Sequence, residues 1–227
     1  MTVPFYVPPE QLVKDRADFA KKGIGRGRPI IVLLLDSGIL LIGENSSPSL
    51  RKIGEIYDRI AFAGVGRFNE FETLRVAGVR FADLKGFSYA RGDVTGKSLA
   101  NAYSQTLGQI FSHEVKPYEV DIIVAELGVD VGSDKLFRVQ FDGTLRDAER
   151  FTVLGAREDA IAESVKDFWR ADLSLAEAVR LATTSIEQAE DRHIDQAAWE
   201  TGFLDRAGER RTFRRLNLEE IDSATHA

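Results

Sequence analysis

Three places in this sequence carry residue types that could do chemistry. Lys52 lies just before a predicted strand, where a partly buried ammonium can make a charge-assisted hydrogen bond to a carboxylate. Thr2 follows the initiator, so removal of Met1 would expose a threonine whose hydroxyl could attack while its own amine serves as the base. Residues Gly92 to Ser98 are similar to a loop that cradles phosphate groups. Each possibility depends on the elements around it.

The positions of Thr2 and of the glycine loop argue against catalysis and nucleotide binding. Thr2 lies far ahead of the first predicted strand, on a terminal segment that cannot preorganise an attack. The phosphate-loop pattern is one residue short, because Arg91 stands where its first glycine is required. We therefore interpret Thr95 as a helix N-cap and Lys97 as a solvated side chain. A nucleotide binder that depends on Lys97 is kept as a weak alternative.

Composition and apolar patterning argue against several other classes of protein. The net charge of −6 argues against a general nucleic-acid binder, and the lack of cysteine rules out disulfides and thiolate metal sites. The longest apolar run, Ile30–Leu35, is far shorter than the roughly 20 residues of a membrane helix, and no signal peptide is visible. His113, His193 and His226 are too scattered for a local metal site and are expected at the surface. We expect a cytoplasmic globular protein with no metal, cofactor, nucleic-acid or membrane partner.

The helices are predicted mainly from their end signals. Proline in the first turn, Glu10, two lysines near the end and Gly23 beyond them predict a first helix over residues 9–22, with Val13, Ala17, Ala20 and Ile24 facing the core. A second helix follows Gly66, and a third begins at Thr95 and ends before Pro117. The last two predicted helices are indicated by inward Ile161, Val165 and Phe168 and by a capping box, Ser174 to Glu177.

The strands are predicted from apolar runs between turn residues. They span residues 30–35, 39–42, 57–65, 118–127, 135–141, 151–154, 199–204 and 211–216, with Asp142-Gly143 as a tight turn between two of them. The order of elements predicts an α/β (α+β) fold, a four-layer αββα sandwich of two antiparallel sheets between helix layers. No repeat, linker or low-complexity segment interrupts residues 1–227, so we expect a single domain.

Several longer segments resemble one family. Arg91–Gly108, Lys116–Val120, Leu50–Ile53 and Tyr57–Arg59 are similar, at consistent spacing, to the α subunit of the proteasome core particle, of the actinobacterial type. The resemblance spans nearly the whole chain and implies the Ntn-hydrolase fold. One departure is that Asp15-Arg-Ala replaces the Tyr-Ala-Arg signature of archaeal and eukaryotic α subunits, so gating details from those branches transfer poorly.

The resemblance implies a chain that does not cut peptides. Catalytic β subunits of the same fold begin their first strand with a free N-terminal threonine, and Glu44 and Lys52 match the acid and the lysine of those siblings. The place of the nucleophile falls near Arg28, inside the chain, and arginine cannot replace threonine. We therefore predict no catalytic residue. The alternative from another class is a self-contained N-terminal-nucleophile hydrolase that uses Thr2.

The resemblance also implies two functional sites. A lysine that matches Lys52 receives the carboxylate at the C-terminal tail of an activator, although in isolation Lys52 would be interpreted as a solvated lysine or a partner of Glu44. The N-terminal segment, residues 1–8, would close the pore at the ring axis, although a frayed terminus is the simpler interpretation. Its predicted gating residues are Thr2, Val3, Pro4, Phe5, Tyr6, Val7 and Pro8. The first helix would contact the neighbouring α subunit and the β ring.

The implied function is therefore that of a gate and docking ring in protein degradation. We expect heptameric rings of this chain, stacked on a proteasome β subunit that supplies the threonine-type endopeptidase activity. A hexameric ATPase activator of the actinobacterial type would dock on the ring and pass unfolded, tagged protein substrates through it.

Overall fold

The computed structural model describes residues 8–47, 49–209 and 211–226. The described strands are, in chain order, β1 (Ile30–Leu35), β2 (Gly38–Glu44), β3 (Ile53–Tyr57), β4 (Ile60–Gly66), β5 (Val120–Glu126), β6 (Lys135–Val139), β7 (Leu145–Ala148), β8 (Phe151–Leu154), β9 (Trp199–Asp205) and β10 (Phe213–Arg214). They form a first sheet of order β10-β9-β2-β1-β8 and a second sheet of order β3-β4-β5-β6-β7. Every neighbouring pair is antiparallel.

The described helices cover the outer faces of the two sheets, except α1, which packs at the border between them. They are α1 (Pro9–Ile24), α2 (Phe68–Ser88), α3 (Gly96–His113), α4 (Glu158–Phe168), α5 (Leu175–Glu190) and α6 (Leu218–His226). Helices α4, α5 and α6 pack on the first sheet, and α2 and α3 pack on the second. The inner faces of the sheets pack against each other. The predicted four-layer αββα sandwich is therefore confirmed.

Strand β1 is packed on both faces, by helices on one side and by the second sheet on the other. Ile31 and Leu33 point to the face of the sheet that α4 and α5 cover. Ile30 and Val32 point to the opposite face, into the core between the sheets. Successive strand side chains point to opposite faces, so a strand buried on both faces is apolar throughout. The same alternation recurs in β2 and places the strand pair at the centre of the fold.

Helix α1 packs against one border of the core between the sheets. It begins at Pro9, as predicted, and continues to Ile24, two residues beyond the predicted 9–22 helix. Ala20 and Ile24 are buried with inner-face residues of both sheets. The prediction that Val13 faces the core is wrong, because its side chain is 53% exposed. Only the C-terminal half of the helix reaches the sandwich.

Several predicted boundaries differ from the structure. The single strand over residues 57–65 is wrong, because the chain turns at Asp58 and Arg59 and pairs β3 with β4 as a hairpin. The Asp142-Gly143 turn joins β6 to β7, a strand that the sequence analysis missed. Phe168, predicted to face inward, is 68% exposed because it is the last residue of α4. Helix α6 was not predicted. Within the described residues, no helix is long and apolar enough to cross a membrane.

Candidate functional site

Lys52 lies at the end of the loop that joins β2 to β3. Its side chain is half-buried, and its Nζ donates a hydrogen bond to the backbone carbonyl oxygen of Glu44 at 3.1 Å. Among the described residues, no carboxylate oxygen forms an ion pair with this ammonium within 4.0 Å. Lys52 is therefore not freely solvated, and it is an internal partner of Glu44 through the backbone carbonyl of that residue and not through its carboxylate. Its charge is only partly compensated.

The surroundings of Lys52 make its ammonium less stable than usual. Burial lowers the pKa of Lys52 from 10.5 to about 8, and the nearby carboxylates of Glu200 and Glu44 oppose this shift only in part. Arg28 adds a small effect in the same direction as burial. A carboxylate that reached Lys52 would replace lost hydration with a charge-assisted hydrogen bond. The site is thus suited to an anionic partner.

Glu200 fixes the backbone at Lys52. This residue of β9 is 2% exposed, and its Oε2 accepts hydrogen bonds from the backbone N–H of Lys52 at 3.0 Å and from Asn45 Nδ2 at 2.6 Å. Its Oε1 accepts from the backbone N–H of Ile53 at 3.1 Å and from Arg215 Nη1 at 3.2 Å. Each carboxylate oxygen therefore has two donors, so the buried charge is well satisfied.

Arg28 lies two residues before β1, beside Glu44. Its Nε is 3.5 Å from Glu44 Oε2 and its Nη1 is 3.5 Å from Glu190 Oε2. Arg192 also forms an ion pair with Glu44. Arg28 is a mid-chain residue, and the preceding Gly27 O accepts a hydrogen bond from the backbone N–H of Ala156 at 2.9 Å. A guanidinium and an ordinary peptide bond therefore lie beside Glu44 at this position.

The start of α3 already uses the amides that a phosphate would need. The backbone N–H of Gly96 donates to Glu126 Oε2 at 2.9 Å, and that of Ser98 donates to Thr95 Oγ1 at 3.2 Å. The predicted Thr95 N-cap is confirmed. Lys97 is exposed in the first turn, as predicted.

Of the predicted gating residues, only Pro8 belongs to the part of the chain that the structure describes. Thr2, Val3, Pro4, Phe5, Tyr6 and Val7 lie outside the described residues. Pro8 is exposed, and its carbonyl oxygen accepts from the backbone N–H of Leu12 at 3.1 Å. It therefore directs the first turn of α1.

The predicted surface positions of two histidines are confirmed. His113 is exposed and contacts the carbonyl oxygen of Gln109. His193 is exposed and lies 2.8 Å from Glu187 Oε1. The side chain of His226 is outside the described part of the chain. His113 and His193 lie far apart along the chain, and no group of metal-ligating side chains is present among the described residues.

The residues that surround Lys52 were not found from sequence. Glu200, Arg215 and Arg192 come from β9 and from segments near it, far along the chain. One signal was present, since Glu200 is a carboxylate inside an otherwise largely apolar predicted strand, and a buried charge requires partners. Those partners could not be identified without knowing how the two sheets pack against each other.

The four-layer fold, with Glu44 and Lys52 beside the start of β1, defines the Ntn-hydrolase type of architecture. A comparison with protein families matches residues 26–198 to the family described as "Proteasome subunit". The chain belongs to this proteasome subunit family.

Curated relatives cover nearly all of the chain. "Proteasome subunit alpha" of Thermomonospora curvata is 51% identical over 223 residues, covering 98% of this chain and 97% of the relative. The same-named protein of Arthrobacter sp. is 52% identical over 227 residues, covering 97% of each. That of Thermobifida fusca is 46% identical, covering 97% of this chain and 90% of the relative. The predicted resemblance to actinobacterial α subunits is confirmed.

Proposed function

We propose that this chain is a noncatalytic subunit of the α ring in a cytoplasmic proteasome core particle. Residues 1–227 form one α-type domain, heptameric rings of which stack on a β ring. Residues 1–8 gate the access of unfolded substrates, and Lys52 docks a hexameric ATPase activator that delivers tagged proteins. The observation that supports the proposed noncatalytic role is the guanidinium of Arg28 beside Glu44, at a mid-chain residue that the resemblance matches to the place of the nucleophile.

The chemistry at Arg28 supports a loss of peptidase activity. An N-terminal nucleophile needs a hydroxyl and a terminal amine at the same residue. Arg28 has neither, and the ordered helix α1 precedes it in the chain. Glu44, which matches an acid of the catalytic siblings, binds Arg192 and Arg28 instead. The remaining residues therefore act as structure, with Lys52 left for another role.

The contacts of Lys52 support docking. Among the described residues, the ammonium of Lys52 donates to a neutral backbone carbonyl, so a chain-terminal carboxylate would find a charge that is only partly compensated there. A hydrogen bond between two charged groups contributes about 1.5–3 kcal/mol. The fixed backbone at Glu200 limits the entropy lost when the tail binds.

The experiment that tests this function uses the particle formed on co-expression with a proteasome β subunit. Hydrolysis of a fluorogenic peptide is measured with the full-length chain and with a chain that lacks residues 1–8. We expect faster hydrolysis after the deletion, and we expect mutation of the β threonine to abolish it. Lys52→Ala should remove stimulation by the activator and leave the basal rate unchanged.

Two outcomes would contradict the proposal. The first is that no particle forms with a β subunit. The second is that this chain alone hydrolyses peptides in a manner lost in Thr2→Ala, which would favour the self-contained hydrolase. If hydrolysis is slow and deletion of residues 1–8 does not change it, only the gating role of these residues is contradicted.

A further inference from the structure

The backbone of Lys52 and Ile53 is held by one ion pair, between the buried Glu200 and the partly exposed Arg215. Glu200 accepts hydrogen bonds from the N–H groups of both residues, at 3.0 and 3.1 Å. Arg215 donates from Nη2 to the carbonyl oxygen of Ile53 at 2.6 Å, and from Nη1 to Glu200 at 3.2 Å. The ion pair therefore engages both donors and an acceptor of one short backbone segment.

This arrangement connects the two sheets at the start of β3. Glu200 belongs to β9 of the first sheet, whereas Lys52 precedes β3, an edge strand of the second sheet. The described residues of the loop before Lys52 belong to no helix or strand, and Asn45 of this loop also donates to Glu200. An edge strand is paired on one side only, so its first residues are held weakly by the sheet itself. The carbonyl oxygen of Lys52 accepts a hydrogen bond from the backbone N–H of Gly64 at 3.0 Å, and the ion pair adds a restraint from the first sheet.

We propose that Glu200 and Arg215 are positioning residues for activator docking, which hold the Lys52 backbone so that its ammonium faces the incoming tail carboxylate. This inference rests on the proposed docking function of Lys52. It adds a connection between the docking site and the C-terminal part of the chain, since Arg215 follows β10 and precedes α6. The ligand class is a peptide with a free C-terminal carboxylate.

A purely structural ion pair is the competing explanation. Buried ion pairs often contribute little net stability, because desolvation offsets the attraction between the charges. A structural role would change the free energy of unfolding but leave the affinity of correctly folded particles unchanged. A positioning role would change the affinity, and only when Lys52 is present. The two roles can therefore be separated in one set of variants.

The test measures binding of a fluorescein-labelled peptide, copied from the C-terminal tail of an actinobacterial ATPase activator, to the assembled particle by anisotropy. The same peptide with a C-terminal amide measures binding that does not use the carboxylate. The variants are Glu200→Gln and Arg215→Met. Arg215 is partly exposed, so Arg215→Met provides a second variant should Glu200→Gln fail to fold.

The matched controls change the same residue types on neighbouring positions. Arg214→Met removes the adjacent arginine of β10, which binds Asp205 and Glu220, and Glu55→Gln removes a carboxylate of β3 that binds Arg211. Neither Arg214 nor Glu55 takes part in the hydrogen bonds that Glu200 and Arg215 make to the backbone of Lys52 and Ile53. We expect both to bind the free-carboxylate peptide as the wild type does.

We expect Glu200→Gln and Arg215→Met to weaken binding of the free-carboxylate peptide by at least about tenfold, the scale of one charge-assisted hydrogen bond. On a Lys52→Met background, neither change should weaken the residual binding further, because residues that act through a shared partner are not additive. Glu200→Gln should also move the pH midpoint of binding downward, since it removes a carboxylate that raises the pKa of Lys52.

The outcomes distinguish failure of this inference from failure of the docking function. If Lys52→Met abolishes binding but Glu200→Gln and Arg215→Met bind normally, the positioning role is wrong and docking stands. Equal losses with and without Lys52 would likewise overturn positioning. If Lys52→Met binds as tightly as the wild type, docking at Lys52 is wrong, and the inference falls with it.

Discussion

Lys52 combines a lowered pKa with a proposed docking function that needs its charge. The ammonium predominates below about pH 8, and the neutral amine predominates above it. A carboxylate binds the charged form, so the affinity for a free-carboxylate tail should fall as pH rises through about 8. We expect roughly tenfold weaker binding for each pH unit well above that value, when protonation limits binding. Anisotropy titrations from pH 6.5 to 9.5 measure this.

The control for the pH dependence is Lys52→Arg. A guanidinium keeps its charge throughout this range, so the affinity of this variant, whatever its value at pH 7, should stay constant up to pH 9.5. An unchanged wild-type affinity across the same range would mean that Lys52 does not bind the carboxylate.

The same pKa predicts that Lys52 destabilises the folded chain at neutral pH. Because the folded pKa of about 8 lies below the ordinary 10.5, the unfolded state binds more protons between these values. The destabilisation is complete below about pH 8 and is relieved as pH rises towards 10.5. Lys52→Met should therefore raise the free energy of unfolding at pH 7 by about 1–3 kcal/mol.

Urea denaturation at pH 7 and at pH 10 measures this difference. The gain in Lys52→Met should shrink at the higher pH, where the wild-type amine is mostly neutral. A loss of stability at pH 7 would mean that the Glu44 contact outweighs the burial of the charge. Lys52 would then be a structural residue.

At the scale of elements, helix α1 is held by a close approach of Gly23 to the side chain of Glu119. That carboxylate cannot move easily, because it binds Arg67 at 2.9 Å and Lys116 at 3.1 Å. A methyl group at position 23 would overlap it. We expect Gly23→Ala to lower the free energy of unfolding by about 1–2 kcal/mol, overpacking outweighing the better helix propensity of alanine.

Chemical denaturation of the chain measures the effect of Gly23→Ala. The control is Gly92→Ala, where an added methyl group would meet nothing within 4 Å, and a change below about 0.5 kcal/mol is expected. Equal stability of the two variants would show that α1 adapts by shifting, and that its position is not set by Glu119.

Elements with strong local signals could be predicted from the sequence. Pro9 begins α1, Thr95 caps α3, and Ser174 with Glu177 forms the predicted capping box of α5. Each signal is a hydrogen bond or a dihedral restraint within a few residues. Strand β7 was missed because Leu145-Arg-Asp-Ala is polar and forms a sheet edge, which needs no apolar alternation.

The candidate site likewise contains residues that local sequence signals identify and residues that they do not. Lys52 was identified because the residues around it resemble a family segment. Glu200 and Arg215 were not, because they lie 148 and 162 residues from the backbone groups that they bind. Contacts of this kind depend on the packing of one sheet on the other. Local pattern alone therefore could not have revealed the restraint on Lys52.

At the scale of the whole molecule, the C-terminal half of α2 exposes an apolar surface. Leu84 is 68% exposed, Phe87 90% and Tyr89 78%. Grouped apolar side chains of this size on a surface typically mark a contact with another protein. The proposed particle provides such contacts, because each subunit touches its neighbours and the β ring. This surface should therefore be covered only after assembly.

We expect Phe87→Asp to prevent formation of the particle on co-expression with a β subunit, because a buried, unpaired carboxylate would oppose the contact. The isolated chain should unfold within about 0.5 kcal/mol of the wild type, since the side chain is exposed there. Native mass spectrometry measures assembly. Val115→Asp is the matched control, because Val115 is 99% exposed and lies beyond α3. A full-sized particle with Phe87→Asp would place the assembly contacts elsewhere.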